Sequence, residues 1–140
     1  MYNIVKHMSL TRMAAVDIEI NVVRIAEKQY LTGIPGKKLI QTEDDVMQIL
    51  ELCYENDTNR VLLYAENFSD NFFDLSSGEA GMILQKFSVY FVKVAAVLLL
   101  DEMPHSHKFE EMAAEANSGN QFRIFNDLQQ AEQWLLKDLP

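Results

Sequence analysis

Residues able to do chemistry gather in one stretch, 67–79, reading NFSDNFFDLSSGE. Ser76 and Ser77 offer hydroxyls that accept phosphate, and Asn67, Asp74 and Glu79 offer polar groups to a partner or ligand. Gly78 and the helix-forming sequence after it put the serines at a helix N-terminus. Free N–H groups and partial positive charge there suit phosphate. A phosphate on Ser76 or Ser77 brings roughly −1.5 to −2 of charge and can switch a docking surface, although Asp74 and Glu79 repel it. The same spacing, Ser76-x-x-Glu79, also reads as a capping box that only steadies the helix. Phe72 and Phe73 stand together among polar residues. One exposed aromatic there would mark a partner contact; the competing reading tucks Phe73 under the next helix, near Ala80.

Other constellations carry less. His105 and His107 precede a helix with Glu110 and Glu111. Zinc needs a third ligand in fixed geometry, and none stands at a recognisable spacing. His107 and Glu111, four apart, read as an exposed pair on one helix face. Cys53 falls on an apolar helical face and reads as a buried, inert thiol. Gly78 and Gly81 lack the lysine that follows the glycines of a phosphate-binding loop, and no dinucleotide fingerprint is present. Asp17, Glu19, Asp70 and Asp74 are too scattered to read as a carboxylate pair. The seven methionines read as packing or fall in the N-terminal stretch. The expectation is a protein with no cofactor and no metal.

The elements that must position this stretch belong to a chain of 140 residues, 49% hydrophobic and 24% charged. That is one domain with an ordinary apolar content, which excludes a disordered chain. The longest apolar run, 94–100, has seven residues, against about 20 for a membrane-spanning helix. Twelve basic residues face 21 acidic ones, a net charge of −9. Such a chain repels a phosphate backbone, so nucleic acid is not an expected partner. One cysteine excludes an internal disulfide and fits a reducing cytoplasm. Residues 1–13 lack the apolar core and cleavage site of a secretory signal. They read as an extension, with Met8 and Met13 as further candidate starts, or as an edge strand over 2–5. The domain proper is then 16–140.

Val16-Asp17-Ile18-Glu19-Ile20 alternates like a half-buried strand, and 23–27 follows as its hairpin partner across Asn21-Val22. Residues 29–41, with Gly33, Pro35 and Gly36, read as a loop. Thr42 caps a helix opened by Glu43, Asp44 and Asp45, with Val46, Ile49, Leu50 and Cys53 on one face. A central strand follows over 61–65, then a helix over 77–89 with Ala80, Ile83, Leu84 and Phe87 inward. A second central strand covers 92–100 and stops before Pro104. A helix over 106–116, a short strand over 122–125 and a last helix complete the chain. That last helix is capped by Asn126 or Asp127 and buries Leu128, Ala131, Trp134 and Leu135. The order is β-β-α-β-α-β-α-β-α: a single α/β domain with a mostly parallel sheet and right-handed crossovers. Ligands of such sheets sit beyond the strand C-termini, here after residues 65, 100 and 125.

This order resembles the STAS domain, the fold of the SpoIIAA-type anti-sigma-factor antagonists. Those proteins carry Asp-Ser-Ser-Gly between a central strand and the next helix. This chain has Asp74-Leu75-Ser76-Ser77-Gly78, with Leu75 inserted and an acidic Glu79 after it. The run ENFSDNFFDLSSGEAGMILQKFSVYFVKVAAV also resembles an uncharacterised bacterial domain-of-unknown-function family, over most of 16–138. That family implies the same fold and supplies no activity. The STAS resemblance implies a cytoplasmic, non-enzymatic regulatory module bound by a kinase-like or other regulatory protein partner. Ser76 matches the phosphorylated serine by position, with Ser77 and Gly78 as its neighbours. The competing function is a small-molecule-binding protein or enzyme using the strand C-termini, with Asn67, Asp74, Ser76 and Asn126 as its polar groups. A homodimer through an edge strand or the N-terminal stretch is a third reading.

Overall fold

A computed structural model of the chain describes residues 3–8 and 18–137. One six-stranded sheet runs in chain order: β1 (Asn3–Met8), β2 (Glu19–Ile25), β3 (Lys28–Thr32), β4 (Arg60–Tyr64), β5 (Lys93–Val97) and β6 (Phe122–Phe125). β1, β2 and β3 pair antiparallel, whereas β3 through β6 pair parallel. The sheet is therefore mixed. The helices are α1 (Glu43–Glu55), α2 (Glu79–Val89), α3 (His107–Ala116) and α4 (Leu128–Leu136).

Each parallel crossover steps one strand further in the same direction. With right-handed connections, the crossover helices must then share one face of the sheet. The packing agrees. Ile49 of α1, Ile83 and Phe87 of α2 and Phe109 of α3 share a core with Val61, Leu63, Val94 and Ala96. The alternate residues Leu62 and Ala95 face the other way, under Ala131, Trp134 and Leu135 of α4. Both faces of β4 and β5 are thus covered, which is why they read as unbroken apolar runs. Strand order never reverses among the described strands, so no topological switch point exists to open a crevice. An opening at the strand C-termini has to come from the loops.

Several elements form for the reasons visible in sequence. The Thr42 hydroxyl accepts from the Asp45 N–H at 3.3 Å, and the Asp45 carboxylate accepts from the Thr42 N–H at 3.1 Å. Val46, Ile49, Leu50 and Cys53 are buried beneath α1. Ser106 caps α3 and Asp127 caps α4.

Other expectations are corrected. Asn21 and Val22 lie inside β2, and the hairpin turns at Ala26-Glu27. Ala26 takes a left-handed φ of 56° to do so. Pairing Val22 with Leu31 and Val23 with Tyr30 fills both cores at once, so tertiary packing overrides the better turn residue. Residues 29–32, expected as the start of a loop, consequently belong to β3. β5 ends at Val97, because Leu100–Glu102 coils into a 3-10 turn. Leu128, expected inward, is 39% exposed at the first turn of α4. The first residues of the strand read from Val16, and the start at Met13, lie outside the described residues. Among the described residues, no helix is long and apolar enough to cross a membrane.

Candidate functional site

The 67–79 stretch folds back over the end of β4 as consecutive 3-10 turns, Asp70–Phe73 and Leu75–Ser77 among them. Neither Phe72 nor Phe73 is the exposed contact that one of the pair was open to being. Phe72 is fully buried and Phe73 nearly so. Phe72 stacks on Phe68 at 3.9 Å between centroids, and both Phe72 and Phe73 meet the Phe109 ring at 5.4 Å. A fully buried aromatic contributes about 1.5–3 kcal/mol, so this cluster fastens the loop to α3. The Ser106 N–H adds a bond to the Phe73 carbonyl at 2.9 Å.

Asn67 is also fully buried. Its Oδ1 accepts from the Tyr64 N–H at 2.7 Å, and its Nδ2 donates to the Ile34 and Lys37 carbonyls at 3.0 and 2.9 Å. Its carbonyl accepts from the Leu39 and Ile40 N–H groups. With its side chain committed to backbone, Asn67 holds the 33–40 loop against the end of β4 and offers nothing to a ligand.

The expected capping box is absent. Gly78, at φ 83°, is the N-cap of α2, and only glycine enters that conformation without strain. The Glu79 carboxylate instead accepts from the Ser69 hydroxyl at 2.7 Å. The Ser77 hydroxyl donates to the Asn71 carbonyl at 2.6 Å and accepts from the Glu79 N–H at 3.2 Å. Ser76 is exposed, and its hydroxyl donates to Asp74 Oδ1 at 2.8 Å. Asp74 also accepts from the Ser76 N–H at 3.2 Å.

Beside this loop, beyond the C-termini of β4 and β5, opens a cleft of about 720 Å³. Phe73, Val97, Leu99, Met103 and Pro104 give it an apolar lining. Tyr64, at the last position of β4, turns its phenol to the α4 side of the sheet. Burial raises the Tyr64 pKa above its ordinary value; a hydrogen bond with Thr32 opposes the rise and the Glu132 carboxylate adds to it. Among the described residues, four charged side chains reach the cleft: Lys38, Glu66, Asp70 and Glu102. Lys38 Nζ donates to the Phe68 carbonyl at 2.9 Å and stands 3.6 Å from Asp70 Oδ1. Of the residues expected from sequence to form a site, Phe73 alone lines this cleft. Asn126 lines a separate groove with Leu98 and Gln130. Lys38, Tyr64, Glu66 and Glu102 were not singled out by sequence reasoning. They come from three separate loops and a strand end, and only the sequential strand order brings them together.

Elsewhere the chemistry is quiet. His105 shares hydrogen bonds with the Met103 carbonyl at 2.9 Å and the Glu110 carboxylate at 3.1 Å, and these raise its pKa. His107 pairs with Glu111 at 3.3 Å on an exposed face. Among the described residues, no group of three or more His, Cys, Asp or Glu side chains is placed to hold a metal. Burial pushes the Cys53 thiol up to about 12, as an inert core thiol requires. The exposed aromatics Tyr54, Tyr90 and Phe91 lie at the opposite, N-terminal end of β4 and β5.

Comparison with known proteins adds a family and nothing further. Neither a curated protein nor a solved structure matches the chain. A family model does match residues 25–135, which span the sheet from the end of β2 to α4 and enclose the whole cleft. The chain belongs to the family described as Domain of unknown function (DUF4180).

Proposed function

We propose that this chain binds a small molecule in the cleft beyond β4 and β5. One observation carries the reading: the cleft is concave, mostly apolar-lined and furnished with a few converging polar groups. At about 720 Å³ it falls within the size range of small-molecule sites. A protein-docking module using the same loop would instead present an apolar surface around Phe72, and that ring is buried. The test is a thermal-shift screen of small metabolites against the natural protein and Leu99→Trp. Leu99 is 45% exposed on the cleft wall, so the larger side chain fills space without disturbing the core. Stabilising compounds whose effect disappears in Leu99→Trp support the proposal. A screen without stabilising compounds, or with effects unchanged in the variant, refutes it.

A second reading is favoured by one feature, the Ser76 hydroxyl. It is exposed and held only by Asp74, whereas the Ser77 hydroxyl is tied to backbone on two sides. On this reading the chain is a STAS-like, cytoplasmic regulatory module, and phosphate on Ser76 changes its affinity for a protein partner. The sequential strand–helix order and the Ser-Ser-Gly between a central strand and the next helix support it. Phosphopeptide mapping of the protein from its own cells, with Ser76→Ala as control, decides the matter. Phosphate lost in the variant supports the switch, and an unmodified peptide under growth, starvation and stress counts against it.

A further inference from the structure

Resting on the ligand-binding reading, we infer that the cleft takes an organic amine: a protonated nitrogen on an apolar, preferably aromatic body. The cavity carries the argument through the division of its lining. The apolar wall of Phe73, Val97, Leu99 and Met103 suits a hydrocarbon body. The charged groups do not balance, since Lys38 faces Glu66, Asp70 and Glu102. Lys38 donates to the Phe68 carbonyl and stands 3.6 Å from the exposed Asp70 carboxylate, so the one cation among the described lining residues already has an anionic neighbour. Glu66 accepts only a long bond from the Gly36 N–H at 3.4 Å. Among the described residues, neither Glu66 nor Glu102 is within ion-pair distance of a cation.

Tyr64 adds an aromatic ring to the described lining, and aromatic surface favours an ammonium over an anion. An anionic ligand would meet Glu66 and Glu102 as well as a lysine whose charge Asp70 already offsets in part. A neutral ligand would use the apolar wall and gain nothing from the carboxylates, which are exposed and hydrated. The net charge of −9 over the whole chain acts in the same direction, drawing cations toward the surface.

The test uses three probes of similar apolar body and different charge: phenethylamine, phenylpropionate and phenethyl alcohol. Each is titrated calorimetrically into the natural protein and into the double variant Glu66→Gln with Glu102→Gln. Both positions are exposed, and unchanged circular dichroism and Tm show that the variant is folded. The inference predicts that phenethylamine binds the natural protein most tightly. An exposed ion pair is worth about 1.5- to fivefold in affinity, so the double variant loses about 2- to 25-fold for the amine and little for the alcohol. Phenylpropionate or phenethyl alcohol binding as tightly as the amine, or an amine affinity untouched by the double variant, overturns the inference while leaving a ligand-binding cleft in place. Absence of binding by all three overturns the inference. The failure extends to the ligand-binding reading itself if the metabolite screen also yields nothing sensitive to Leu99→Trp.

Discussion

Replacing Asn67 by alanine tests how the cleft is held open. The side chain is fully buried and makes three hydrogen bonds of 2.7–3.0 Å, to the Tyr64 N–H and to the Ile34 and Lys37 carbonyls. Alanine removes all three and leaves those backbone groups in a space too poor in partners to replace them. At about 1–1.5 kcal/mol for each bond, the loss is about 3–4 kcal/mol, or about 10 °C in Tm for a chain of this size. Urea denaturation followed by circular dichroism measures it as a fall in midpoint at constant slope. Asn67→Asp sharpens the test. It keeps an acceptor for the Tyr64 N–H but turns a carboxylate oxygen toward two carbonyls, so an isosteric change must cost at least as much as alanine. Either variant unfolding within about 1 kcal/mol of the natural protein would refute the reasoning, because one lost bond already accounts for that much.

Three further outcomes follow from the same geometry. A Cβ on Gly33 would stand 2.2 Å from Asn67 Oδ1. Gly33→Ala therefore costs about 2–3 kcal/mol in the natural protein and much less with Asn67→Ala already present, a coupling that a double-mutant cycle reads directly. His105 has a raised folded pKa through the Met103 carbonyl and Glu110. Its contribution is thus fully present below its unfolded pKa of about 6.5 and is lost as pH rises through the folded value. The stability gap between the natural protein and His105→Gln must be larger in mild acid than in mild alkali, and an unchanged gap contradicts the assignment. Ala26, at φ 56°, holds a left-handed turn conformation that costs a residue with a Cβ. Ala26→Gly is expected to stabilise by about 0.5–1 kcal/mol after its larger unfolded-state entropy is allowed for, measured by the same urea titration.

Where local rules and tertiary demands agreed, the sequence was a sound guide. Thr42 with Asp45 starts α1 where its hydroxyl and carboxylate say it must. The apolar runs of β4 and β5 announced strands covered on both faces. The errors came where a local signal competed with packing over distance. Asn21-Val22 is a better turn than Ala26-Glu27, yet only the later turn lets β2 and β3 feed both cores. Ser76 and Glu79 have the spacing of a capping box, but Gly78 starts the helix and Ser69 takes the glutamate. The polar residues around Phe72 and Phe73 concealed the fold-back, because the aromatics find their partner in Phe109, more than thirty residues later. The cleft was hidden for the same reason. Its floor is the end of the sheet, and its polar groups, Lys38, Tyr64, Glu66 and Glu102, share no motif.

The claim that the cleft is a ligand site is met most directly by an amide-shift map of isotope-labelled protein titrated with a mixture of small aromatic and aliphatic metabolites. The account predicts shifts gathered on Tyr64, Ala65, Glu66, Val97, Leu99 and Met103, around the ends of β4 and β5. Shifts confined to the opposite end, around Tyr54, Tyr90 and Phe91, or no shifts at all, would contradict it.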